Sequence, residues 1–222
     1  MFGEKKDIFL KIFSVIFNFF LFFFRKESKQ KPIKIWPGLN KIRDFILFLL
    51  NEGPCFRKNV CPANHIGFFV QSGAANVVPP KICVNNNLAL GTVMNNAGSG
   101  INIVVVNGKS GDVMKTDHFN MYSGSVEPLI EFLKGVETGS VVLMAVYDEG
   151  STKLNEEART LISDLGSSTI HSLGYRDNWV FVGGKGTTGK SNFEKVNDDS
   201  KNKYDNWPEM VEVEGCVPKY VE

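Results

Sequence analysis

Four cysteines, Cys55, Cys61, Cys83 and Cys216, restrict the folding of this 222-residue chain more than any other feature. Whether they become cross-links depends on the compartment, because disulfides persist where the surroundings are oxidising. The start of the chain points to such a compartment. The stretch "IFSVIFNFFLFFF" (12–24) is almost wholly apolar, follows Lys5, Lys6 and Lys11, and precedes Arg25 and Lys26. A basic start with a short apolar run marks a secretory signal or a signal anchor. No small-x-small cleavage site follows Phe24, as in an uncleaved anchor. Yet the run falls short of the roughly 20 apolar residues of a full span, and Asn18 interrupts it. Residues 1–24 are therefore expected to be a signal peptide or signal anchor, and the even cysteine count then predicts two disulfides. A zinc site is not expected. No cysteine pair has the C-x₂₋₄-C spacing, and His65, His118 and His171 are scattered.

Charge excludes one class of partner. With 25 Lys+Arg against 24 Asp+Glu, the net charge is +1, and no basic stripe in the interior offers a track for nucleic acid. No N-x-[ST] sequon occurs, so no N-glycosylation is expected. Residues 25–54, basic and carrying Pro32 and Pro37, read as a tether with a possible short helix over 42–53. Residues 55–222 read as one globular domain. Within it "HIGFFVQ", "KICVN" and "INIVVVNG" carry the β-branched and aromatic residues of strands between Gly, Pro and Asn. "VMKTDHFNMY" is expected to be a hairpin arm. "SVVLMAVYDEG" and "NWVFVGG" are continuous apolar runs suited to strands buried on both faces, and "PEMVEVEG" alternates as a last strand. Two helices are expected: "SVEPLIEFLKGV" with Ser125 as N-cap, and "STKLNEEARTLISDLG" with Ser151 or Thr152 as cap and Gly166 as stop.

One stretch invites an enzymatic interpretation. "GKGTTGKS" (184–191) matches the phosphate-loop pattern G-x-x-x-x-G-K-[ST]. A working phosphate loop needs a strand before it and a helix after it, whose N-terminal N–H groups hold the phosphates. The strand is there, but "NFEKVNDDSKNKYDNWP" is rich in Asn, Asp and Ser and has no apolar stripe. Only 31 residues follow Ser191, too few for further βαβ units. A glycine-rich hairpin loop with exposed lysines is the expectation, and nucleotide binding the least favoured of the functions considered. Asp117-His118 lacks a serine at a nucleophile elbow, and Asp148, Glu149, Glu156 and Glu157 read as helix-start charges favoured by the dipole. No enzyme, cofactor or metal is expected.

From Cys55 to Pro218 the chain resembles the cytokine-like secreted family of the interleukin-like EMT inducer and pancreatic-derived factor (PANDER), nearest its interleukin-like EMT inducer branch. The stretches that carry the resemblance are "CPANHIGFFVQSGAANVVPPKIC", "GINIVVVNGKSGDV", "VYDEGSTKLNEEARTLISDLGS", "LGYRDNWVFVGGKG" and "NKYDNWPEMVEVEGC". The resemblance implies an α+β fold of two antiparallel β-sheets packed as a sandwich with short flanking helices. It also implies the disulfides Cys55–Cys83 and Cys61–Cys216. It implies a non-enzymatic secreted signalling protein, passing through the endoplasmic reticulum and Golgi, that acts through a cell-surface receptor. The alternative location is a Golgi membrane anchored through the N-terminal segment. The same domain type is similar to the sugar-binding stem domain of the O-mannose N-acetylglucosaminyltransferase, whose saccharide-contacting pattern matches "YDEGS" and "YRDNW" here. That likeness implies a lectin-like alternative in which Asp148 and Arg176 hydrogen-bond a terminal saccharide and Trp179 offers an apolar floor. An arginine expected just before "GINIV" is Ser99 in this chain.

Overall fold

Apolar runs too long for one-sided strands require a sheet covered on both faces, and this chain builds one. The computed structural model describes Cys55, residues 61–197 and residues 207–220. Among them, β1 (His65–Gln71), β2 (Lys81–Val84), β3 (Asn87–Leu90) and β9 (Glu212–Pro218) form a four-stranded sheet in the order β3-β2-β1-β9. β4 (Gly100–Asn107), β5 (Val113–Phe119), β6 (Ser140–Tyr147), β7 (Asn178–Gly184) and β8 (Phe193–Asn197) form a five-stranded sheet in the order β5-β4-β6-β7-β8. Every neighbouring pair is antiparallel. Two helices, α1 (Glu127–Lys134) and α2 (Glu156–Ser163), lie in the connections that flank β6.

The five-stranded sheet is the middle layer. Successive strand residues point to opposite faces, and here both faces are dry. Ile101, Ile103 and Val105 of β4, Val142, Met144 and Val146 of β6, and Trp179 and Phe181 of β7 pack with Leu129 and Leu133 of α1 and with Ala158 and Ile162 of α2. The alternate residues Val104, Val106, Leu143, Ala145, Val180 and Val182 pack against Ile66, Phe68, Val70 and Ile82 of the other sheet. The α+β sandwich with helices on one outer face follows, with the helices confined to the five-stranded sheet. Truncating Phe68 or Phe181, both fully buried, to alanine removes about 3–5 kcal/mol of stability.

The cysteines pair as the resemblance implies. Cys55–Cys83 ties the start of the domain to β2, and Cys61–Cys216, spanning 155 positions, ties the approach to β1 to the neighbouring β9.

Local details differ from expectation for identifiable reasons. Val126, not Ser125, is the N-cap of α1, and Ser125 spends its hydroxyl on the Glu127 carboxylate. Asn155, not Ser151 or Thr152, caps α2 by accepting from Ala158 N at 2.9 Å. Ser151 is already engaged with Glu149, and Lys153 N donates to Met121 O at 2.8 Å, which holds the preceding turn out of the helix. The short strands β3 and β8 were not expected from the sequence. The described residues all fall in one compact unit, Leu50–Glu222. The expected signal or anchor over 1–24 and the tether over 25–54 lie outside the described residues. Among the described residues no helix is long and apolar enough to cross a membrane.

Candidate functional site

Antiparallel pairing brings three chain segments to one edge of the middle sheet. Gly100, which opens β4, stands opposite Tyr147, which closes β6, and β7 begins beside them at Asn178. The residues just outside those strand ends are Ser99, Asp148 and Arg176. Positions far apart in sequence therefore share one rim.

Both charged members sit on left-handed backbone, Asp148 at φ 67° and Arg176 at φ 64°. An aspartate tolerates this region, whereas an arginine is rare there and pays a steric cost. Surrounding hydrogen bonds hold each one. After Asp148, the buried Glu149 carboxylate accepts from Ser151 N and Ser151 Oγ, both at 2.7 Å, and from Thr152 N at 3.0 Å. Gly150 is required next to it, because a Cβ there would stand 2.6 Å from Val146 Cγ2. Glu149 is thus a structural carboxylate that fixes the turn presenting Asp148.

Around Arg176 the neighbouring side chains play the same part. Asp177 Oδ2 accepts from Gly174 N at 2.8 Å, which closes the turn before β7. The buried Asn178 donates from Nδ2 to Pro208 O at 3.0 Å and to Glu209 O at 2.9 Å. That clamp holds the 207–210 segment under the start of β7 and sets Trp207 beside Arg176. The Arg176 guanidinium lies 4.3 Å from the Trp207 ring centroid and 5.0 Å from that of Tyr175. Two aromatic faces hold the planar cation, and among the described residues no carboxylate forms an ion pair with it.

Asp148 and Arg176 do not pair directly. No ion pair joins them among the described residues. Partial burial, then the negative charge of Glu149, push the Asp148 carboxyl above the usual carboxylate range, and the Arg176 cation pulls it part of the way back. The pair presents an acceptor and a fork of donors side by side. The "SGAANVV" loop (72–78) forms the adjoining wall: Gly73 N donates to Val146 O at 2.8 Å and Tyr147 Oη donates to Asn76 O at 2.8 Å.

Trp179 does not reach this rim. It is fully buried on the helix-facing side, stacked on Phe181 at 5.5 Å, and its Nε1 donates to Glu194 Oε1 at 2.9 Å. Sequence reasoning took the nearest tryptophan in the chain for the rim aromatic. The indole that lies there, Trp207, is 31 positions from Arg176, and only the Asn178 clamp brings it in. The "DNWPEM" stretch gave a partial signal, a tryptophan before a proline close to the last strand.

The phosphate-loop pattern has no phosphate-loop structure. Residues 184–191 connect two antiparallel strands, β7 and β8, so a strand stands where a helix would have to begin. Lys190 is exposed, and its Nζ donates to Ser167 O at 3.1 Å. Asp117 and His118 are exposed on β5, and the Asp117 carboxylate accepts from the His118 backbone N–H at 2.8 Å. Among the described residues no group of three His, Cys, Asp or Glu could hold a metal.

Comparison with known proteins extends the resemblance. A family model described as "Interleukin-like EMT inducer" matches residues 99–187, a span that opens at Ser99 and contains Asp148 and Arg176. The chain is 54% identical to human Protein FAM3C over 167 residues, 74% of each chain. It is 46% identical to Xenopus tropicalis Protein FAM3C over 94% of this chain and 96% of the relative. It is 47% identical to mouse Protein FAM3D over 77% of each.

Proposed function

The chain belongs to the interleukin-like EMT inducer family, and from that premise we propose that it is a non-enzymatic, cytokine-like signalling protein, exported through the secretory pathway and acting through a cell-surface protein partner. Family membership carries this proposal. The two disulfides support export, since such cross-links persist in oxidising surroundings. The rim suits contact with a partner: Asp148 and Arg176 are set on left-handed backbone, and Arg176 lies against Trp207. Cross-linking the oxidised chain to intact cells and identifying the captured protein tests it. Capture of one cell-surface protein, saturable and competed by unlabelled chain, is the expected result. Absence of any competed protein would overturn it.

A second proposal, a lectin-like module for a terminal saccharide, rests on one specific observation. Asp148 and Arg176 stand at one rim, near enough for the Arg176 cation to act on the Asp148 carboxyl, and the guanidinium lies 4.3 Å from the Trp207 ring centroid. Paired sugar hydroxyls can donate to one and accept from the other. On a glycan array, Asp148→Ala and Arg176→Ala should each weaken a hit by roughly 1.5–3 kcal/mol, and Ser99→Arg should strengthen it. An array without hits for wild type and Ser99→Arg removes this proposal and leaves the first standing.

A further inference from the structure

The opposite end of the same three strands carries a second feature. A cleft of about 600 Å³ opens between the β7–β8 hairpin, the start of β6 and the end of β9, within the roughly 300–1,000 Å³ of small-ligand sites. Its inner wall is apolar, from Val141, Leu165, Val182, Phe193 and Val217, with Tyr220 at the side. Among the described residues its charged lining is of one sign: Lys185, Lys190 and Lys219 line it, and no Asp or Glu does. The bonded lysines are satisfied by neutral oxygens only: Lys190 Nζ donates to Ser167 O at 3.1 Å and Ser163 Oγ at 3.4 Å, and Lys219 Nζ to Ser110 O at 2.7 Å. Among the described residues, three ammonium groups around an apolar cleft have no counter-charge from its lining. A ligand that fits this surface must cover the apolar wall and supply a negative charge at the mouth.

We propose that this cleft binds a small amphipathic anion, an apolar body carrying a single carboxylate or sulfonate head. The apolar body covers Val141, Val182 and Phe193, and the head lies among Lys185, Lys190 and Lys219. The hairpin that reads as a phosphate loop in sequence thus serves as one wall of the cleft. The wall has open space at Gly189, where an added Cβ would meet no atom within 4 Å.

The test is a fluorescence titration of the full chain, exported from cultured cells and kept oxidised, with 1-anilinonaphthalene-8-sulfonate as probe. Saturable binding is expected, displaced by dodecanoate but not by dodecyltrimethylammonium or by inorganic sulfate. Charge reversal by Lys185→Glu with Lys219→Glu should weaken it roughly tenfold or more, the scale of a lost charged interaction. Gly189→Phe, which places a ring against the open wall, should weaken it independently of charge. Asp148→Ala, at the far end of the strands, should leave it unchanged, which separates this cleft from the recognition rim. Displacement by the cationic surfactant, equal displacement by sulfate alone, or binding indifferent to the charge-reversed chain would overturn the proposal. The last of these is also the result if the probe binds the apolar run at the N-terminus instead.

Discussion

Asn178 shows how one residue can decide the shape of a site it does not enter. Its amide satisfies two carbonyls of the 207–210 segment from a buried position. Asn178→Ala should therefore cost about 2–3 kcal/mol in denaturant unfolding, since two acceptors lose their donor. It should also expose Trp207, seen as a red shift in emission, whereas Arg176→Ala should shift emission with a smaller loss of stability. Glu194 is the second such residue. Its carboxylate accepts from Ser167 Oγ, from Ser168 N and Oγ at 2.7 Å, from Thr169 Oγ1 at 2.8 Å and from Trp179 Nε1 at 2.9 Å. Burial alone would raise its pKa, but the bonds from Ser167, Ser168 and Trp179 outweigh it and hold the carboxyl below the ordinary value. A depressed carboxylate contributes stability that is present above the unfolded-state pKa of about 4.3 and lost as pH falls through the folded value. Glu194→Gln should thus cost roughly 1–2 kcal/mol at neutral pH, discounted for its solvent-facing edge. The difference from wild type should shrink toward pH 3; a gap constant across pH would refute the charge argument.

At the scale of elements, β8 and its hairpin decide the fate of the phosphate-loop pattern. The loop spans two antiparallel strands, so no helix N-terminus stands behind it to hold phosphates. The chain should show no Mg²⁺-dependent saturable binding of ATP or GTP in equilibrium dialysis, and Lys190→Ala should change nothing there. Micromolar, magnesium-dependent binding lost in that variant would contradict the hairpin assignment. β8 escaped the sequence because its strand residues stand among Asn, Asp, Ser and Lys, which favour turns. What makes it a strand is the ladder to β7, from Val182↔Phe193 to Asn178↔Asn197. The continuous runs of β4, β6 and β7 were legible for the converse reason. Burial on both faces erases alternation, and that loss is itself readable.

Across the whole molecule the disulfides close rings of very different size, with separations of 28 and 155 positions. In the loop-entropy model these are worth about 3.6 and about 5 kcal/mol as upper limits. Replacing Cys61 and Cys216 together by serine should lower stability more than replacing Cys55 and Cys83, as measured by the denaturant midpoint. Thiol titration of the denatured, unreduced chain should find no reactive cysteine; two or more per chain would mean that at least one bridge is absent.

The residues alone determined the layered character of the domain, because apolar periodicity reports how many faces of a strand are dry. They determined the even cysteine set; the two charged rim positions came from the likeness of the YDEGS and YRDNW stretches to the stem-domain pattern. Only the tertiary structure decided which aromatic stands beside Arg176, which carboxylate anchors the Ser167–Thr169 turn, and that three lysines gather around one cleft. Periodicity registers whether a side chain is buried, but not which distant residue buries it. Trp207 reaches the rim through an amide 29 positions away, and Glu194 reaches Ser167 across 27. Such partners are chosen by strand register and chain return, which no local pattern encodes.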